Sequence, residues 1–100
     1  MEGIIPALSI PIRKDVTIQA MGLPLNYAQW NETNIMVESS MCVWGVSNQN
    51  SSTMFFDIEK TGAINIREGS GLMDVKVENN RIYLYPKTTA GRSMSVVIYT

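Results

Sequence analysis

A chain of 100 residues with a formal net charge of −1 has room for one domain, burying roughly two thirds of its unfolded surface around one modest core. Its eight Lys and Arg residues are scattered singly or in one pair, leaving no basic patch to displace counterions and excluding nucleic acid as a partner. The absence of any histidine removes the commonest general base and metal ligand, so neither a Ser-His-Asp nor a Cys-His nucleophile can be assembled.

Residues 1–14 read as an apolar arm punctuated by Pro6 and Pro11. Glu2 and the two prolines spoil both a signal-peptide core and a membrane helix, so no membrane segment is expected. Leu8, Ile10 and Ile12 alternate with Ser9, Pro11 and Arg13, a period of two, while each proline removes a backbone donor. This suits either an edge strand or an extended arm whose apolar side chains, Ile4, Ile5, Leu8, Ile10 and Ile12, find partners on a neighbour.

Val16, Ile18 and Ala20 alternate with polar or flexible neighbours and predict a half-buried strand that Gly22 ends. Residues 23–33 are expected as loop with one helical turn from Asn26 to Trp30. Residues 35–38 predict a short strand and residues 41–46 another, with Trp44 in the core and Cys42 a small buried apolar residue. With only one cysteine in the chain, no intrachain disulfide forms, which points to a reducing compartment. Residues 47–52, SNQNSS, carry nothing that packs and predict a polar loop.

Two hairpins follow, and here partner and register are both legible. Lys60-Thr61-Gly62 fits a three-residue loop closed by glycine in the left-handed conformation, which sets Glu59 opposite Ala63. Met54, Phe56, Ile58, Ile64 and Ile66 then share one face. Phe55, Asp57, Asn65 and Arg67 share the other, with Phe55 and Arg67 within reach of a cation–π contact. In residues 72–86, taking Asn79-Asn80 as a type I′ turn pairs Glu78 with Arg81, Val77 with Ile82, Lys76 with Tyr83, Val75 with Leu84 and Asp74 with Tyr85. After a flexible loop over residues 87–92, Met94, Val96 and Ile98 alternate in a last strand.

Seven to nine short strands without an amphipathic helix predict an all-β fold, a single antiparallel β-sandwich of immunoglobulin-like size, with residues 15–100 as the sandwich domain and 1–14 as its extended N-terminal segment. No catalytic, cofactor or metal residues are expected. Asp57 and Glu59 point to one strand face, but general-acid work needs one carboxyl desolvated, which the exposed side of a hairpin does not provide. Gly69-Ser70-Gly71 lacks the lysine and helix of a phosphate loop. What remains are the arm residues above, and an outer stripe of Tyr83, Tyr85 and Arg81 with Lys76 on the second hairpin, which reads either as ordinary cross-strand pairing or as a contact patch for protein or glycan.

The order of these features, a proline-punctuated apolar arm, an opening strand RKDVTIQA, then LPLNYAQ and IMVES, then hairpins with Asn and Gly turns up to a terminal strand, resembles the small β-sandwich accessory proteins of tailed bacteriophage particles. The resemblance implies a non-enzymatic virion protein made in the host cytoplasm, a capsid decoration or auxiliary protein whose partners are capsid or other virion proteins, with self-association and no cofactor. A rival expectation is a glycan-binding or host-attachment module of a tail or baseplate using Tyr83, Tyr85 and Trp30.

Overall fold

The computed structural model describes residues 18–99. The arm residues Ile4, Ile5, Leu8, Ile10 and Ile12, and the boundary at residue 14, lie outside the described residues. Eight strands form two antiparallel sheets packed as a β-sandwich. They are β1 (Ile18–Pro24), β2 (Asn31–Met36), β3 (Met41–Ser47), β4 (Thr53–Ile58), β5 (Ile64–Glu68), β6 (Met73–Glu78), β7 (Arg81–Pro86) and β8 (Ser93–Tyr99). One sheet has the order β1-β8-β3-β4-β5 and the other β2-β7-β6.

The core follows from the two-residue period. Val43, Met54, Phe56, Ile58, Met94, Val96 and Ile98 project from the five-stranded sheet onto Ile35, Met73, Ile82 and Leu84 of the other. Full burial of each such side chain contributes about 1.5–3 kcal/mol relative to exposure. Asn31 and Thr33 occupy inward positions of β2 but spend their polar atoms on backbone: Thr33 Oγ1 donates to the Ile82 carbonyl at 2.7 Å. No buried side-chain nitrogen or oxygen among the described residues is left without a partner.

The second hairpin has the predicted register at every pair from Asp74–Tyr85 to Glu78–Arg81. Asn79 and Asn80 stand at φ 53° and 60°, the left-handed conformation that both central positions of the turn require. The first hairpin also closes as expected, with Gly62 at φ 96° and a Glu59–Ala63 backbone bond of 2.9 Å. It carries one irregularity: Phe56 pairs with Ile66 but Phe55 with Glu68, so Arg67 is an extra residue in a bulge.

Four expectations need correction. β1 runs through Gly22 to Pro24, because among the described residues it is an edge strand paired only with β8, and Pro24 comes at its last register position. Residues 26–30 form a turn without helix, and β2 starts at Asn31, four residues before the predicted strand. Trp44 is half-buried on the outer face of its sheet, since Met41 and Val43 fix the opposite phase of β3 inward. Residues 87–92 are no loose loop either: Thr89–Arg92 make one 3-10 turn with Ala90 and Gly91 buried. A Cβ on Gly91 would lie 3.0 Å from the Pro86 Cβ, so a larger residue there would have to push this turn and β7 apart by a few tenths of an ångström.

Candidate functional site

Both sandwich faces that turn away from the core carry aromatic side chains, and they differ in polarity. On the three-stranded sheet, alternation along β6 and β7 sends Lys76, Tyr83 and Tyr85 outward. Trp30, from the turn before β2, lies against Tyr85 with ring centroids 5.4 Å apart and planes at 64°. The Lys76 ammonium sits 4.6 Å from the Trp30 ring centre and 5.4 Å from that of Tyr83, while pairing with Glu78 at 3.2 Å. The cation thus joins two rings and Trp30 brings in the third, making a platform in which Trp30 remains 40% exposed. Lys87 bridges Asp74 at 3.3 Å and donates to the Ser70 carbonyl at 2.8 Å, fencing the platform with satisfied charges.

Tyr83 and Tyr85 therefore stand together as their spacing predicts, joined by Trp30 and Lys76. Arg81 shares their side of β7 but is committed elsewhere. Its guanidinium pairs with Glu32 at 3.2 Å and donates to the Thr33 carbonyl at 3.0 Å, so it clasps β2 to β7. The pairing of Arg81 with Glu78 suggested by their opposed positions is replaced by these contacts and by the Lys76–Glu78 bridge.

The outer face of the five-stranded sheet is more apolar. Val97, Trp44 and Phe55 lie in one cross-strand row, Tyr99, Cys42 and Asp57 in the next, and Ser95 beside Val46 in a third. Phe55 is fully buried although it faces away from the core, because the Trp44 ring lies 5.8 Å from it and the Arg67 guanidinium carbon 5.9 Å. Asp57 accepts from Arg67 and from the Cys42 thiol at 3.0 Å. Cys42 is thus half-buried against a carboxylate, which corrects the expectation of an apolar core residue. Toward β1 these charges give way to an open groove of about 460 Å³ lined by Met21, Trp44, Val46, Val97 and Tyr99.

Reading Trp44 as core concealed this face. The signal lies in strand phase: Trp44 and Val46 share one side of β3, and Met41 and Val43 take the other. Among the described residues no three His, Cys, Asp or Glu side chains gather as a metal centre would require. Compared with known proteins, the chain matches no family model, no curated protein and no solved structure.

Proposed function

We propose that the protein is a non-enzymatic structural component of a virus particle, an auxiliary or decoration protein that binds the capsid surface and stabilises or links its subunits. One observation carries the adhesive part of this reading: the apolar outer face of the five-stranded sheet, where Val46 is 37% exposed and Trp44, Val97 and Tyr99 are half covered. Tryptophan, tyrosine and methionine are the residues that interface centres favour, and charged side chains are what they avoid. The charges nearest this face, Asp57 and Arg67, are spent on each other. The resemblance of the chain to phage accessory proteins supplies the identity of the assembly, and the arm of residues 4–12 a second apolar contact.

The test is to place a charge in the groove without touching the core. Val46→Glu combined with Val97→Glu should leave a cooperative unfolding transition, since both side chains face away from the core, and should abolish co-sedimentation with the particle. Incorporation at wild-type copy number in the double variant would reject this face as the seat.

The Trp30–Tyr85–Lys76–Tyr83 platform favours a second reading, host attachment through glycan. Exposed rings offer flat apolar faces to a sugar, with polar groups at the rim. Stoichiometry separates the two: a decoration protein is present in many copies, an attachment module at few sites, and only the latter requires glycan binding by the isolated chain.

A further inference from the structure

Three loops meet at one end of the sandwich: residues 25–30 between β1 and β2, 48–52 between β3 and β4, and 87–92 between β7 and β8. They are held far more firmly than their polar sequences suggest. The amide of Asn31 donates to the carbonyls of Asn26 at 3.0 Å, Gln29 at 2.9 Å and Leu84 at 3.2 Å, and its oxygen accepts from the Asn26 N–H at 2.8 Å. Ser47 Oγ donates to the Ala90 carbonyl at 2.7 Å and accepts from the N–H groups of Gln49 at 3.0 Å and Asn50 at 3.3 Å. Backbone bonds from Leu25 to the Arg92 carbonyl and from Asn48 to the Ser93 carbonyl, at 2.7 and 2.9 Å, stitch the loops together.

Of the three buried polar side chains among the described residues, two, Asn31 and Ser47, thus serve this one end. Strain gathers there as well. Outside the Asn79-Asn80 turn, the non-glycine residues at positive φ are Ala28 at 61° and Ser51 at 64°, one in each of the first two loops.

Between these loops lies an open groove of about 490 Å³ bordered by Asn26, Tyr27, Gln49 and Arg92. Arg92 makes no ion pair among the described residues, and Tyr27 is 49% exposed. Among the described residues Arg92 is the one charge of this lining, and no carboxylate of the lining opposes it. The scaffold is preorganised while the side chains at its tip are uncommitted, an arrangement that lowers the ordering cost of binding.

We propose that this loop end is a binding site for an acidic sugar, a uronic or sialic acid residue, with Arg92 receiving the carboxylate, Asn26 and Gln49 the hydroxyls, and Tyr27 the apolar face of the ring. Guanidinium binds a carboxylate through two parallel N–H bonds. Each side-chain amide both donates and accepts, as a sugar hydroxyl does. The volume suits one or two sugar rings. An acidic peptide is the less favoured occupant, because the lining offers a single cation and no free strand edge. Its lining shares no residue with the Trp30 platform or with the groove on the five-stranded sheet.

The experiment is a backbone-amide NMR titration of the full chain with methyl glucuronide, N-acetylneuraminic acid, methyl glucoside and tetraglutamate. The two acidic sugars should shift Asn26, Tyr27, Gln49 and Arg92 with a dissociation constant on the order of millimolar, typical of a single exposed site. Arg92→Gln should keep the spectrum of the folded protein and weaken acidic-sugar binding about tenfold, whereas Tyr83→Ala should leave it unchanged. No shift with any acidic sugar, an equal response to methyl glucoside, tighter binding of tetraglutamate, or undiminished binding in Arg92→Gln would each overturn the proposal.

Discussion

Asn31 occupies a position that the alternation of β2 reserves for an apolar side chain, yet it is 9% exposed and fully bonded. Removing its amide would leave the Asn26, Gln29 and Leu84 carbonyls and the Asn26 N–H short of a partner, and buried groups stripped in this way cost about 1–3 kcal/mol each. Asn31→Ala should therefore lower stability by about 2–4 kcal/mol, some of the freed groups recovering water. Asn31→Asp restores the acceptor but none of the donors and should cost nearly as much. Urea unfolding with an unchanged m-value would check both, and a loss within about 0.5 kcal/mol, typical of an inert surface site, would refute the clasp. None of this is legible in order of residues alone. An asparagine amid NETN reads as loop, because its partners at Leu84 and in the preceding turn are fixed by tertiary packing rather than by neighbours in sequence. Trp44 was misread for a related reason: size argues for burial, but the phase of a strand outranks size.

At the scale of elements, what could be read from the chain divides by the distance over which pairing operates. The β6–β7 hairpin was readable to the residue, since its turn, register and faces all lie within residues 72–86 and constrain one another. The β4–β5 hairpin was nearly so, with the Arg67 bulge the one departure. The pairings that close the five-stranded sheet, β1 with β8 and β3 with β8, join segments far apart in sequence and have no local turn to announce them. That is also why β1 passes through Gly22 against expectation, its course being set by β8. The locality of the second hairpin makes it testable alone. Asn80 at φ 60° tolerates glycine but not a β-branched residue. Asn80→Val should cost about 1–2 kcal/mol, a fall in melting temperature of about 4–16 °C for a domain of this size, while Asn80→Gly should match or slightly exceed the parent. Equal melting temperatures for the valine and glycine variants would show that the turn does not govern the hairpin.

For the whole molecule, the division of labour between the sandwich and residues 4–12 can be weighed. Full burial of Ile4, Ile5, Leu8, Ile10 and Ile12 against a partner would contribute about 11 kcal/mol, whereas holding those nine residues in one conformation costs about 13 kcal/mol of backbone entropy. The arm alone therefore breaks even at best. Attachment under the proposed function needs the preformed groove of Met21, Trp44, Val46, Val97 and Tyr99, which adds apolar contact at little ordering cost because β1, β3 and β8 already fix it. A chain lacking residues 1–12 should then fold with a melting temperature close to that of the parent, since the core of the described residues closes on itself across the two sheets, but fail to remain on the particle through sedimentation. Joining that truncation to Val46→Glu and Val97→Glu should reduce binding no further than either change does alone, both having already taken it below detection. Retention of the truncated chain at parental stoichiometry would remove the arm from the mechanism and leave the sheet face as sole seat. A truncated chain that no longer folds would instead make residues 1–12 part of the domain, and the edge-strand reading of the arm would replace the docking one.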